Sequence, residues 1–326
     1  VAEVGQPFPA PDVELSFSQT VPCEIAHRRA LGEVFVADSA QTGRDEFLLA
    51  LQLPRAHSLW FDRRVPYHDS FSTAEACRQA VFVVLHRYLG VPRDLPFTLE
   101  TFRCRVESVQ AYRDNEKTPL EALLRYRVGN RHSLETEVGT MTLAGQLGIG
   151  GVLAMSVSAE IVSMPAVDYG VLRAVQRAAA DNPATGDPGS WRPVEPALVG
   201  RYDERNVVVA AAEQVGGLSA YPMLLDDRHP SFFDHGYDHL PGPVAVEALR
   251  QAALLRACEQ GALPSPVAPV IDCSVRFSAF GYLDAPLFAS AELAPPQSDG
   301  TVELAVGIHQ FGKQIVSGSL TFGQYP

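Results

Sequence analysis

The sequence predicts an α+β protein made of one unit built twice, each copy a long buried helix wrapped by an antiparallel sheet. Three observations lead there. The hexapeptide EACRQA, Glu75 to Ala80, returns 172 residues later as EALRQA, Glu247 to Ala252. At the same offset, without a gap, HSLWFD (His57 to Asp62) is answered by HPSFFD (His229 to Asp234). Each helical stretch is also flanked by runs rich in β-branched and aromatic residues, the composition of half-buried strands. One short match is open to chance, whereas two blocks in one register signal a duplication.

In the first half, β-type runs cover Glu33 to Ala37 and Glu46 to Leu53 before the helix. After it they cover Phe97 to Val109, Ala122 to Val128, Leu134 to Leu143 and Val152 to Ser163. In the second half, Asn206 to Ala211 precedes the helix, and Val270 to Phe280, Pro286 to Leu293, Thr301 to His309 and Gln314 to Phe322 follow it. GNRH (Gly129 to His132) and QSDG (Gln297 to Gly300) read as hairpin turns. The first helix is expected over Thr73 to Leu89, with Ser72 as cap and Gly90 as stop, and the second over Pro243 to about Gln260, ended by Gly261. A helix wrapped by an antiparallel sheet is the hotdog arrangement, so the expectation is a tandem (double) hotdog. Its parts are a tail over residues 1–19, a first repeat over 20–165, a connecting helix (Tyr169 to Ala180) and Pro/Gly-rich linker (Asp181 to Pro196) within 166–198, and a second repeat over 199–326.

Bulk properties narrow the function. Apolar residues make up 46% of the chain and charged residues 20%, which fits a globular protein with a sizeable core. The net charge of −12 and the lack of any Lys/Arg block exclude the electrostatic footprint of a nucleic-acid binder. The longest apolar run, around Ala80 to Leu85, is far short of the roughly 18–20 residues that span a bilayer. The first residues lack the basic-then-apolar build of a signal peptide, and a cytoplasmic protein is expected. The five cysteines (Cys23, Cys77, Cys104, Cys258 and Cys273) form no CxxC pair and read as free thiols rather than a metal site.

The chemistry concentrates on the two helices. Glu75 and Arg78 are three residues apart and share a face, as do Glu247 and Arg250. Two ordinary explanations compete: a surface ion pair, and a capping box in which Ser72 and Glu75 close the helix start. The second copy removes the capping explanation, because Val244 stands where Ser72 would be, and Glu247 is retained. Both helices are apolar on most faces, and ionisable residues on a buried helix point to function. A carboxylate in a partly dry cleft would have a raised pKa suited to proton transfer. An arginine would hold a carboxylate or phosphate, and a helix N-terminus could hold an oxyanion.

HPSFFDHGYDHLPGPVAVEALRQA (His229 to Ala252) resembles the signature of the A-factor biosynthesis hotdog family, the AfsA-type γ-butyrolactone, butenolide and furan synthases of actinomycetes. LPRAHSLWFD (Leu53 to Asp62), HDSFSTAEACRQA (His68 to Ala80) and LGVP (Leu89 to Pro92) resemble its N-terminal repeat. Shorter matches occur at SMPAVDYGVLR (Ser163 to Arg173) and VGR (Val199 to Arg201). The resemblance covers nearly the whole chain from Thr20. It implies a double hotdog that condenses a β-ketoacyl thioester, on acyl carrier protein or coenzyme A, with dihydroxyacetone phosphate, without cofactor or metal. The resulting phosphorylated ester closes to a butenolide or goes on to a furan. It places functional carboxylates and an arginine on Glu75, Glu247 and Arg250; Arg78, Gln79 and Gln251 on the same two helices, and His239 just before the second, are further candidate substrate contacts. A mechanism consistent with the residues and with the resemblance has a glutamate, by preference Glu247, deprotonate the substrate hydroxyl while Arg250, with Arg78 as a second candidate, binds phosphate or orients the glutamate. A monomer with two repeats suffices. Pro243, Ala245 and Ser70 depart from the family's usual residues and bear on the acyl-chain pocket.

Other features carry less. Asp226, Asp227, His229, Asp234, His235, Asp238 and His239 crowd one stretch but match no metal-ligand spacing. GQLGIGG (Gly145 to Gly151) lacks the Lys-Ser/Thr end of a phosphate loop and reads as a hairpin. His27-Arg28-Arg29 and Arg63-Arg64 read as solvated basic clusters, or as a greeting surface for an acidic carrier protein. Competing functions are a hotdog thioesterase or dehydratase, and a non-catalytic protein that binds an acyl ligand.

Overall fold

The same secondary-structure order occurs twice. In a computed structural model describing residues 5–130, 139–179 and 189–326, the first set comprises β1 (Val36–Gly43), β2 (Glu46–Leu53), α1 (Ser70–Val83), β3 (Phe97–Val106), β4 (Leu120–Gly129), β5 (Gly139–Ile149) and β6 (Val152–Ser163). After α2 (Ala166–Ala178) the second set follows: β7 (Glu213–Val215), β8 (Leu218–Pro222), α3 (Gly242–Glu259), β9 (Val270–Phe277), β10 (Phe288–Leu293), β11 (Val302–Gln310) and β12 (Lys313–Phe322). Contacts divide the chain into one unit of residues 1–61, 66–169 and 326, and another of residues 62–65 and 170–325. In the first the strand order is β1-β2-β4-β5-β6-β3, and in the second β7-β8-β10-β11-β12-β9, the same topology. Every neighbouring pair within each unit is antiparallel.

Helices α1 and α3 are buried on nearly every face, as their apolar composition demands. In the second unit Ala245, Ala248, Ala252 and Ala253 are fully buried, and such small side chains let α3 lie close on β10 and β11. In the first unit the Tyr126 hydroxyl of β4 donates to the Cys77 carbonyl of α1 (3.0 Å), joining sheet to helix.

The differences from expectation have local causes. The cap of α1 is Asp69, not Ser72: the Asp69 carboxylate accepts the Phe71 N–H (3.0 Å). Ser72 already lies inside the helix, where its hydroxyl donates to the Asp69 carbonyl. Asp and Ser cap equally well, so the position of the last non-helical residue decides between them. Past Val83 the helix widens to a π-turn over Val84–Tyr88 before Gly90 (φ +68°) ends it. β3 stops at Val106 because a 3-10 turn over Val109–Tyr112 follows, and β9 stops at Phe277. Asn206 to Ala211 is not a strand. Only Val209 and Ala210 make isolated bridges, to Met223 and Pro193. Its β-branched residues Val207, Val208 and Val209 are there because the segment is buried.

Gly150 and Gly151 (φ +57° and +80°) form the two-residue turn between Ile149 and Val152, which makes GQLGIGG the end of a hairpin. The turn at Gly129 to His132, the strand at Leu134 to Leu143 and the linker at Asp181 to Pro196 lie partly outside the described residues. Among the described residues no helix is long and apolar enough to cross a membrane.

Candidate active site

In the first unit α1 presents Glu75, Arg78 and Gln79 on one face, one turn apart. Glu75 accepts from Arg78 through Nε (2.8 Å) and Nη2 (2.9 Å), from Gln79 Nε2 (2.9 Å) and from Arg28 Nη2. The other groups of Gln79 tie the helix to the chain entering β1: Nε2 donates to the Glu33 carbonyl (2.8 Å) and Oε1 accepts the Phe35 N–H (2.8 Å).

The second unit repeats this clamp on α3. Glu247 accepts from Arg250 through Nε (2.9 Å) and Nη2 (2.5 Å), from Gln251 Nε2 (2.6 Å), and from Arg201 through Nε (3.1 Å) and Nη2 (3.0 Å). Gln251 Nε2 donates to the Asn206 carbonyl (2.7 Å) and its Oε1 accepts the Val208 N–H (2.9 Å). Gly200 (φ +73°) delivers Arg201, and a Cβ there would lie 2.8 Å from the Pro266 carbonyl oxygen. Asp62, in the same unit, secures the segment from behind. Its carbonyl accepts Arg201 Nη1 (2.9 Å), and its carboxylate accepts the N–H groups of Tyr202 (2.7 Å) and Asp203 (3.1 Å) and the Asn206 amide (2.8 Å).

Each clamp therefore sets two guanidinium charges against one carboxylate. Burial would raise the pKa of Glu75, but the charges of Arg28 and Arg78 and the hydrogen bonds from Arg78 and Gln79 outweigh it and hold the carboxyl at about 2. Burial likewise raises that of Glu247, and Arg201, Arg250 and Gln251 bring it to about 2. In place of the raised carboxyl expected from the sequence, each clamp holds one lowered well below the usual carboxylate range and ionised at neutral pH. Arg78 is the accessible member, its side chain 26% exposed; Arg250 is buried at 9%, though less deeply than Arg28 at 1% and Arg201 at 2%.

Gln79 and Gln251 are 0% exposed and engaged at both ends of the amide, each holding its carboxylate and the neighbouring chain. His57 and His229 share a local role: the Nδ1 of each accepts two backbone N–H groups, from Leu59 and Trp60 in one copy and from Ser231 and Phe232 in the other. The acidic and histidine-rich stretch divides into separate pairs: Asp226 with Arg228, His229 with Asn206, Asp234 with His235, and Asp238 with Arg173 and His239. His239 lies three residues before α3, 30% exposed at its side chain.

The model of the A-factor biosynthesis hotdog domain matches residues 10–148 and again 184–324. The chain belongs to the A-factor biosynthesis hotdog family. A protein of Streptomyces virginiae named 2-oxo-3-(phosphooxy)propyl 3-oxoalkanoate synthase is 32% identical over 301 residues, covering 90% of this chain and 94% of that one. A protein of Streptomyces griseus subsp. griseus with the same name is 26% identical, covering 95% and 94%. Among solved structures, the pyran synthase domain from module nine of the sorangicin pathway superposes with a TM-score of 0.51 at 12% identity, covering 90% of this chain and 98% of that chain. An oleoyl thioesterase from Lactobacillus plantarum gives 0.50 at 10% identity, covering 88% and 98%. These two likenesses carry the hotdog fold alone.

Within this family member the sequence reading missed Arg28 and Arg201. Arg28 was assigned to a basic cluster, yet it is buried against Glu75. A signal existed. RRALGEVFVA (Arg28 to Ala37) and RYDERNVVVA (Arg201 to Ala210) are a third repeated block, offset by 173 residues rather than 172. A gapless comparison registered on the helices passes over it.

Proposed function

We propose that this chain is an acyltransferase that joins a 3-oxoacyl group, delivered as a thioester on acyl carrier protein or coenzyme A, to the hydroxyl of dihydroxyacetone phosphate. The observation that carries this reading is the relationship, over nine-tenths or more of each chain, to proteins named as synthases of a 2-oxo-3-(phosphooxy)propyl 3-oxoalkanoate, which is that ester. The clamps support it physically. Each sets two guanidiniums against one carboxylate, and its helix-borne arginine, Arg78 or Arg250, is suited to a phosphate or to the oxygen that becomes negative when the thioester carbonyl is attacked.

In this reading Arg250 and Arg78 are the groups that meet substrate, and Glu247 and Glu75 fix them in place. Glu247 is a poor general base for two reasons. A carboxylate with a pKa of about 2 gives little drive for removing a hydroxyl proton, and its oxygens already receive Arg201, Arg250 and Gln251. Mass spectrometry of products from a 3-oxoacyl thioester and dihydroxyacetone phosphate tests the reading. It expects the phosphorylated ester or its cyclised form with release of one thiol. Release of free 3-oxo acid, without an ester, would overturn it in favour of a thioesterase.

A further inference from the structure

The two clamps are near copies, but the approach to the helix is not. Asp238 and His239 correspond at the 172-residue offset to Pro66 and Tyr67, so only the second repeat has an imidazole there. Tyr67 is buried, with its hydroxyl donating to Gln110 Oε1 (3.4 Å) and to the Pro326 carbonyl (3.3 Å). The neighbouring His68 is closed in at 5% exposure beside Asp114.

In the second unit His239 Nδ1 lies 2.6 Å from Asp238 Oδ1. Asp238 is gripped in turn by Arg173 of α2, through Nη1 to Oδ2 (2.7 Å) and Nη2 to the carbonyl (2.6 Å). Arg173 is itself fixed: its guanidinium lies over Phe280 (5.3 Å) and Tyr282 (5.4 Å), and its carbonyl accepts the Tyr282 hydroxyl (2.8 Å). Phe280 also meets the edge of the imidazole at 5.2 Å. A surface Asp-His contact between neighbours in sequence needs no such support. A carboxylate held on its far side, directing one nitrogen of an accessible imidazole, is the arrangement that orients a proton-transferring histidine.

We propose that His239 is the catalytic acid–base of this protein and Asp238 its positioning residue, which puts the proton transfer in the second repeat. The proposal rests on the acyl-transfer reading. With Nδ1 committed to Asp238, Nε2 takes the proton from the hydroxyl of dihydroxyacetone phosphate. The hydroxyl oxygen bonds to the thioester carbonyl carbon, the carbon–sulfur bond breaks, and the leaving sulfur takes the proton back as a thiol. Beside the imidazole stands Asp238 on its own loop, with Arg173 of α2 on the far side of that carboxylate, and Phe280 contributes an apolar edge.

The test compares wild type, His239→Asn, His239→Ala and Asp238→Asn for thiol release and ester formation across pH, with binding of dihydroxyacetone phosphate measured by calorimetry. His239→Asn is expected to lose about 10²–10⁴-fold in kcat with binding retained. Added imidazole should restore part of the His239→Ala rate. Asp238→Asn should lower kcat and leave KM for dihydroxyacetone phosphate unchanged, because the imidazole loses the carboxylate that orients it. Wild-type rate and pH profile in His239→Asn would overturn the dyad while leaving the acyl-transfer reading standing. Absence of ester from wild type would overturn that reading and the dyad with it.

Discussion

Arg201 reaches across 46 residues of sequence to place Nε and Nη2 on the two oxygens of Glu247, 3.1 Å and 3.0 Å away, with both side chains at most 2% exposed. Such a pair cannot be broken on one side without leaving an uncompensated charge in the interior. Arg201→Ala or Glu247→Gln should therefore destabilise the protein by about 3–5 kcal/mol in equilibrium urea unfolding. A midpoint unchanged in both variants would show that the clamp does not stabilise the fold.

The pH dependence follows from the depressed carboxyls. Glu75 and Glu247 move from an ordinary 4.5 to about 2 on folding, so the unfolded chain binds protons more tightly. Their contribution is complete above about pH 5 and is lost as the pH falls from 4.5 toward 2. Thermal melting should show a flat region above pH 5 and a fall below it. In Glu247→Gln that acid fall should be shallower.

Gly200 should tolerate no side chain. Its φ of +73° strains any L-residue, and the added Cβ would meet the Pro266 carbonyl at 2.8 Å. Gly200→Ala is expected to cost roughly 1–3 kcal/mol and to move Arg201 off Glu247, lowering activity as well. An unchanged melting temperature and rate would contradict this.

Gln251→Ala separates a structural amide from a substrate contact. It removes hydrogen bonds to Glu247, the Asn206 carbonyl and the Val208 N–H. Unsatisfied buried groups of this kind cost about 1–3 kcal/mol each. The expected result is a lowered unfolding midpoint with KM for dihydroxyacetone phosphate unchanged. A raised KM at full stability would return Gln251 to the substrate.

Arg78→Ala bears on the exposed arm of the first clamp. With 26% of its side chain accessible, its loss should disturb stability less than loss of Arg28, which is 1% exposed. Comparison of the two unfolding midpoints decides the point, and equal losses would refute it.

The doubled topology, the two helices and their Glu-x-x-Arg-Gln faces were legible in the sequence, because helix periodicity and strand composition are local and the helical repeat is gapless. Glu247, Arg250 and Gln251 can be placed on one turn from spacing alone. Which atoms neutralise the glutamates could not be read this way. Arg28 lies 47 residues from Glu75 in sequence, and its match in Arg201 is displaced by one position from the helix register. The tertiary structure decided that each carboxylate faces two guanidiniums instead of one. That second charge is what turns the desolvated acid expected from the sequence into a fixed anion, since Coulombic attraction from two buried cations outweighs the burial that would otherwise have protonated it.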